Sequence, residues 1–513
     1  MLTTPRMKKL SMLSSLLAAG VLGWSADYLR EGPDNGGTGW VKGEKIFTVA
    51  NVKNTKLLWK MKLDTASRAK HNLFPPLIVE SVKTASGPKQ IAVVAGVSDD
   101  LFAIDADTGT LLWTKRFEGS GELESAGVFC PGGQVAVPVI APTATPGKYT
   151  LYALAGDGRL WQVNVADGEN VAPPAKFMPP NGKAWALNLF QGVIYSSTAQ
   201  GCGDLPYSFF SYDLSSGKSS AFLPAGGGLW GRRGPAIAPD GTVYMGAGDG
   251  PYDPENGQLG NAVVAVKLNS NKELKLAGYY APKNANYNWM RDLDFSVSPM
   301  VFDYQGRHWV ISTGKECRLL LSDRDNFGGS DHTTETVRTP LVCNDQQSQS
   351  AQGVWGALGA WVDASGAQWI YMPFWGPVSR TFHAPIEYGR PQEGAVAAFK
   401  LRDANGKVSL EPAWLSTNMV NAEEAVIANG IVFTYASGER LLRTDRAWDD
   451  PPPPDPKTAH VTMYALDAVT GKELWNSGDQ IAATNHFSGI SVANGRAYVG
   501  TFDGIVYCFG VAK

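Results

Sequence analysis

The chain has 513 residues, with 45 Lys and Arg against 48 Asp and Glu, and 44% of its residues are hydrophobic. The mildly acidic balance, without a basic stripe, argues against a nucleic-acid partner, and the apolar pool suffices for a large core. Its 57 Gly, 16 Trp and 18 Tyr suit a turn-rich all-β chain.

The first element is a targeting segment. Arg6, Lys8 and Lys9 precede an apolar run from Leu10 to Gly23, too short for a comfortable membrane span. Gly23-Trp24-Ser25 places small residues where a signal peptidase reads. Residues 1–25 are therefore expected to be a Sec-type signal peptide and residues 26–513 one domain, periplasmic or secreted and not membrane-spanning after signal removal. An uncleaved anchor is the alternative.

The next informative stretch is Ala103-x-Asp105-Ala106-x-Thr108-Gly109-x-x-Leu112-Trp113, which returns as Ala465-x-Asp467-Ala468-x-Thr470-Gly471-x-x-Leu474-Trp475. Such a repeat marks an array. Each copy reads as a hairpin: an apolar strand, a turn in which Asp and Thr bond the backbone and Gly takes positive φ, then a strand carrying Trp. One hairpin cannot bury a Trp, so the sheets are expected to stack. Degenerate copies follow at Leu151–Trp161, Phe210–Lys218, Val264–Lys272, Leu319–Arg324 and Ala397–Trp414. The period is roughly 50–60 residues, within reach of a four-stranded propeller blade.

The chain ends on Asp503-Gly504-Ile505-Val506-Tyr507-Cys508-Phe509, half a hairpin, and the missing half stands near the start as Lys56-Leu57-Leu58-Trp59-Lys60-Met61. The prediction is an all-β, eight-bladed β-propeller of four-stranded antiparallel sheets, its ring closed by N- and C-terminal strands, which removes two sheet edges. The Pro451–Pro454 run is read as an extended surface loop. Cys130, Cys202, Cys317, Cys343 and Cys508 make an odd set, so at least one thiol stays free or pairs elsewhere, and Cys317 with Cys343 is the best candidate pair. No Cys-x-x-Cys-His occurs, so covalent c-type haem is excluded. His486 reads as a packing or turn residue rather than a ligand.

The repeat resembles the blades of pyrroloquinoline-quinone (PQQ) proteins, which carry Ala-x-Asp-x-x-Thr-Gly-x-x-x-Trp as a docking motif. The stretch from Asp27 through Ile46–Val52 to Trp59 is similar to the start of quinoprotein dehydrogenases. The resemblance implies a planar quinone on the propeller axis, over a Trp, with a metal and a catalytic Asp beside it. Trp230, in Gly226-Gly227-Gly228-Leu229-Trp230-Gly231, falls on the stacking position, where indole supplies a planar polarisable face; an inter-blade Trp is the alternative. Asp249 stands where the family has a metal-binding Asn, and a carboxylate is a hard ligand suited to Ca²⁺; a plain turn Asp is equally good local chemistry.

Asp292-Leu293-Asp294-Phe295-Ser296-Val297-Ser298-Pro299 is the sharpest match. Asp292 aligns with the base that takes the substrate's hydroxyl proton, and Asp294 with a further metal ligand in some members. Read as an extended strand, the segment puts both carboxylates on one side, where they repel unless a cation or proton intervenes. Lys315 aligns with a cation that reaches the quinone carbonyls. The implied catalytic pair is Asp292 and Lys315, with Trp230 and Lys315 binding the cofactor and Asp249 and Asp294 the metal.

There are departures. Cys202 falls where the family has a metal-binding Glu, with Asp204 a shifted substitute, and the adjacent Cys pair and a carboxylate-binding Arg are missing. Two functions follow. One is a quinoprotein-type oxidoreductase using PQQ and Ca²⁺ on an alcohol or sugar hydroxyl, passing electrons to an external acceptor. The other is a non-catalytic scaffold binding a protein or polymer, for which exposed aromatics such as Phe374-Trp375-Gly376-Pro377 would serve; ordinary strand packing is their plainer reading. Convergence of Trp230, Asp249, Asp292 and Lys315 on the axis discriminates between them.

Overall fold

The computed structural model describes residues 26–117, 127, 130–205, 207–224, 226–347, 352–439 and 460–511. The signal-peptide expectation and the Pro451–Pro454 loop lie outside these residues.

Antiparallel sheets follow one another around a ring of eight blades. Blade one is Leu77–Thr84, Gly87–Gly96, Asp100–Asp105 and Thr110–Arg116. Blade two is Val139–Pro142, Tyr149–Leu154, Arg159–Asn164 and Asn170–Lys176. Blade three joins Lys183–Ala184 and Asn188–Phe190 to Val193–Ala199, Phe209–Asp213 and Ser219–Phe222. Blade four joins Gly228–Trp230 and Ala236–Ile237 to Val243–Gly248, Val263–Leu268 and Leu274–Tyr280. Blade five is Met300–Tyr304, Arg307–Ser312, Leu320–Asp323 and Val337–Arg338. Blade six contains Gly359–Val362, Gln368–Trp375, Gly394–Ala404 and Lys407–Leu415. Blade seven contains Val426–Ala428, Ile431–Ala436, Thr462–Asp467 and Glu473–Asn476. Blade eight is Ile490–Ala493, Arg496–Gly500 and Ile505–Gly510, completed by Lys56–Lys62. Lys60 pairs with Tyr507 and Lys62 with Ile505, which is the expected closure.

The repeated motif is the joint between blades. Asp105 Oδ1 accepts from the Asp107 and Thr108 amides at 3.1 and 3.3 Å, so the turn is tied by its own side chain. The indole of Trp59, on the last strand of blade eight, donates to the Ala106 carbonyl at 3.0 Å. Trp113 does the same to Val165 and Trp414 to Ala468, each at 3.0 Å. Gly109 is required twice over: its φ is +73°, and a Cβ there would lie 2.7 Å from the Trp59 ring. Trp414 is buried and Trp59 and Trp113 are half-buried because a neighbouring blade offers a bare turn, which is why the motif belongs to a closed array.

A feature without sequence signature fills the hub. From Tyr28 to Phe47 the chain runs across the first strands of successive blades. Tyr28 exchanges backbone hydrogen bonds with Ile78, and the carbonyls of Leu29, Asn35, Gly36, Thr38 and Gly39 accept from Ile140, Ile237, Val301, Ala360 and Ile427 at 2.7–2.9 Å. Glu44 Oε2 accepts from the Gly495 amide at 3.0 Å. This strap therefore touches seven blades: one, two and four through eight.

Beneath it, Arg232 and Arg233 are buried and fully engaged. Arg233 binds Glu424 at 2.7 Å and the carbonyls of Gly37, Leu358 and Ala425 at 2.5–2.9 Å. Arg232 donates to Glu31 at 2.7 Å, Glu424 at 3.0 Å and the Tyr435 hydroxyl at 3.1 Å. Such pairs hold only because each charge is bonded on several sides.

Cys317–Cys343 forms a disulfide, as expected, and Cys130–Cys202 forms a second that the sequence reading did not foresee; Cys508 is free and buried. Phe374 and Trp375 are 0% and 1% exposed, so they are inner-strand packing and not a docking surface. No helix among the described residues is long and apolar enough to cross a membrane.

Candidate functional site

The site is assembled where the second strands of blades four and five end. Asp249 follows Val243–Gly248, and Lys315 follows Arg307–Ser312. Between these blades the chain makes a short helix, Ala285–Met290, then the segment bearing Asp292 and Asp294. Glycines admit that segment: a Cβ on Gly248 would lie 2.7 Å from Asp294 Cβ, and one on Gly314 would lie 2.0 Å from the Asp294 carbonyl oxygen. The segment is not the extended strand expected. Asp292 sits at φ 52° and Asp249 at φ 56°. A non-glycine residue held in this left-handed region costs roughly 1–2 kcal/mol, and such strain gathers at functional sites.

The five expected residues converge nonetheless. Trp230 Nε1 donates to Asp249 Oδ2 at 2.6 Å. The Asp249 amide donates to Asp294 Oδ1 at 3.0 Å, and Asn261 Nδ2 to the same oxygen at 3.1 Å. Lys315 Nζ binds Asp292 Oδ1, and Asp294 Oδ2 at 3.2 Å. One carboxylate oxygen from each of Asp249, Asp292 and Asp294 lies within 4.8 Å of the others.

This crowding sets the protonation states. Burial pushes Asp292 upward, helped by its hydrogen bond with Asp294. Burial also pushes Asp249 upward, with Asp294 adding to it. For Asp294, burial acts the same way but is overcome by Lys315 and by hydrogen bonds from neighbours, which hold it below the usual carboxylate range. The result is one anchored carboxylate flanked by two that hold protons more readily, as in a site built for a cation or a proton acceptor.

Aromatic walls stand beside the acids. Trp185 lies 5.9 Å from Trp230, and Trp355 stacks at 5.3 Å on Trp375 and at 6.2 Å on Phe487. Trp185, Trp230, Trp355 and Phe487, with Arg232 and Ser296, line a narrow slot of about 10 Å³, closed by the packing of its walls. Lys315 Nζ lies 5.1 Å over the Trp355 ring, which joins the acids to this slot. A planar ring must part the two walls as it enters. Trp185, Trp355 and Phe487 were missed from sequence; they lack the hairpin motif and come from three separate turns of the ring.

Residues 44–188 match the family of the outer membrane protein assembly factor BamB. Among solved structures, the quinohemoprotein alcohol dehydrogenase of Comamonas testosteroni is similar with TM-score 0.56 and 15% identity over 95% of this chain and 80% of that one. A europium-containing methanol dehydrogenase is similar with TM-score 0.56 and 12% identity, over 94% of this chain and 98% of that one. The chain has the PQQ-like β-propeller fold. A quinohemoprotein alcohol dehydrogenase from Pseudomonas putida HK5 is likewise similar, with TM-score 0.57 and 14% identity over 95% and 81% of the two chains. At these identities the likeness is one of fold. No curated protein matches the sequence.

Neither residue read from the sequence at the place of the family's Glu is part of the acidic cluster. Cys202 is buried in its disulfide with Cys130. Asp204 does not join the acidic group formed by Asp249, Asp292 and Asp294.

Proposed function

We propose that the protein is an exported quinoprotein-type oxidoreductase acting on an alcohol or sugar hydroxyl and passing electrons to an external acceptor. One observation carries this reading: Trp230, Asp249, Asp292, Asp294 and Lys315, spread over 86 positions of sequence, meet in one bonded cluster beside an aromatic slot. The donor set suits the groups it would hold. Three carboxylates offer hard oxygen ligands to Ca²⁺, held by Asp249 and Asp294, and indole faces suit a planar quinone. When bound, PQQ and its metal supply the two-electron acceptor and a Lewis acid.

The chain's own residues supply the rest. Asp292 takes the hydroxyl proton; its raised proton affinity suits a general base. Lys315 bridges Asp292 and Asp294 as ion-pair partner to both, and sets a positive charge where negative charge develops. The Asp294 oxygen accepting from Asn261 and the Asp249 amide is fixed in place, so one ligand is pre-oriented. The three acids also carry enough negative charge for a trivalent ion, and a europium-containing dehydrogenase shares the fold, so a lanthanide belongs beside Ca²⁺ in any test.

A non-catalytic protein-binding scaffold is the second reading. It is favoured by the BamB match over residues 44–188 and by Tyr287, Trp289 and Met290, 42–71% exposed on the short helix beside the acids. The deciding experiment adds PQQ with Ca²⁺ or La³⁺ to the purified protein and follows dye reduction over a panel of alcohols and sugars. Turnover supports the oxidoreductase; no PQQ binding at micromolar concentration leaves the scaffold.

A further inference from the structure

A buried basic cluster packs against the aromatic walls of the slot. Lys183 is 5% exposed and its ammonium sits 5.4 Å over the Trp185 ring and 5.7 Å over Trp230. Its hydrogen-bond partner is the neutral Gln200 Oε1 at 2.7 Å, and no carboxylate among the described residues forms an ion pair with it. His71, 2% exposed, has no hydrogen-bond partner for either ring nitrogen. It packs edge-on against His486 at 5.2 Å, and His486 packs on Phe487 at 4.2 Å, the slot's opposite wall. Lys70 and His486 both pair with Glu439, at 3.4 and 2.5 Å.

A buried ammonium without a counter-charge and a buried imidazole without a partner are both costly. Burial pushes Lys183 down to about 7, which shows how poorly the bare pocket keeps its charge. Lys70, His486 and Glu439 satisfy one another, so the unmet groups are Lys183 and His71. His71 feels the charge of Lys183, and Lys183 feels that of Asp249. Two kinds of polar group thus border the slot's aromatic walls: acids bonded to Trp230, and a buried ammonium over Trp185 and Trp230 that lacks a bonded anion.

We propose that Lys183 and His71 form a carboxylate subsite for the planar ligand, taking the place of the arginine this chain lacks. A carboxylate there receives a charge-assisted bond from Lys183 and an imidazole N–H bond from His71 while its ring lies against Trp230. The inference rests on the quinoprotein reading, and its test separates the two.

Binding of PQQ and of its uncharged trimethyl ester is measured by quenching of tryptophan fluorescence, with Ca²⁺ present and no substrate. The wild type is expected to bind PQQ at least tenfold more tightly than the ester. Lys183→Gln should lose tenfold or more for PQQ and nothing for the ester, and Lys183→Arg should restore most of the loss. His71→Leu, which removes the imidazole donor, should weaken PQQ selectively as well. Thermal unfolding of each apo-variant verifies folding. If Lys183→Gln binds PQQ as the wild type does, the subsite is wrong and the cofactor reading survives. If the wild type binds neither ligand, both fall.

Discussion

Trp230 and Asp249 are joined by a 2.6 Å hydrogen bond from the indole nitrogen to the carboxylate, so the aromatic floor and the acidic cluster are one unit. Terbium bound at Asp249 would lie near an indole that can sensitise its luminescence. Excitation of tryptophan should produce Tb³⁺ emission, which Ca²⁺ or La³⁺ competes away. Asp249→Ala should weaken binding at least tenfold, and Asp294→Ala should do the same.

Asp292→Asn keeps the shape of the side chain and removes the base. Turnover is expected to fall by 10² or more, in line with the usual contribution of a general base, with PQQ affinity unchanged. Retained activity would move the base to another group.

Lys315 neutralises two carboxylates that otherwise face each other with Asp249 nearby. Lys315→Met should destabilise the apo-protein by about 3 kcal/mol, the usual cost of orphaning a buried pair. A bound cation then replaces the ammonium, so saturating Ca²⁺ or La³⁺ should raise the variant's Tm more than the wild type's.

Glu423 is fully buried in the hub, 3.6 Å from Arg232, with no hydrogen bond to either oxygen. Burial raises it to about 8 from 4.5, against the pull of Arg232. The folded protein thus keeps a proton there that the unfolded chain releases above pH 4.5. The associated stability is complete below that pH and is lost as pH rises toward 8, with a slope up to about 1.4 kcal/mol per pH unit for this one group. Glu423→Gln should flatten that part of the denaturation profile and be more stable than wild type at pH 8. Identical profiles for the two would show that Glu423 is ionised in the fold.

The joints between blades are testable separately. A Cβ at Gly471 would lie 2.5 Å from the Trp414 ring. Gly471→Ala should therefore cost about 1–3 kcal/mol by overpacking and by strain at φ +73°, and Trp414→Ala about 3–5 kcal/mol. Chemical denaturation midpoints report both.

The ring and its closure were readable because the turn carrying Asp105 and Gly109 is repeated, whereas Trp230, Asp249, Asp292, Asp294 and Lys315 were marked only by resemblance to quinoprotein dehydrogenases, and the fold brings them together. The strand geometry expected for Asp292 failed because the turn after the short helix forces positive φ there. Lys183, His71, Trp355 and Phe487 were invisible, since each is an ordinary residue in its own stretch and gains meaning only from blades far away in sequence. The same holds for Cys130 and Cys202, whose 72-residue separation gives no local cue.

The strap from Tyr28 to Phe47 has a consequence for assembly. Its binding groove is built from blades distant in sequence, so the strap can seat only once those blades have curled into position. Until then the two hub arginines lack Glu31 and the Gly37 carbonyl, and the half-formed ring carries unpaired charge at its centre. The seating of the leading peptide is thus the step that completes the wheel.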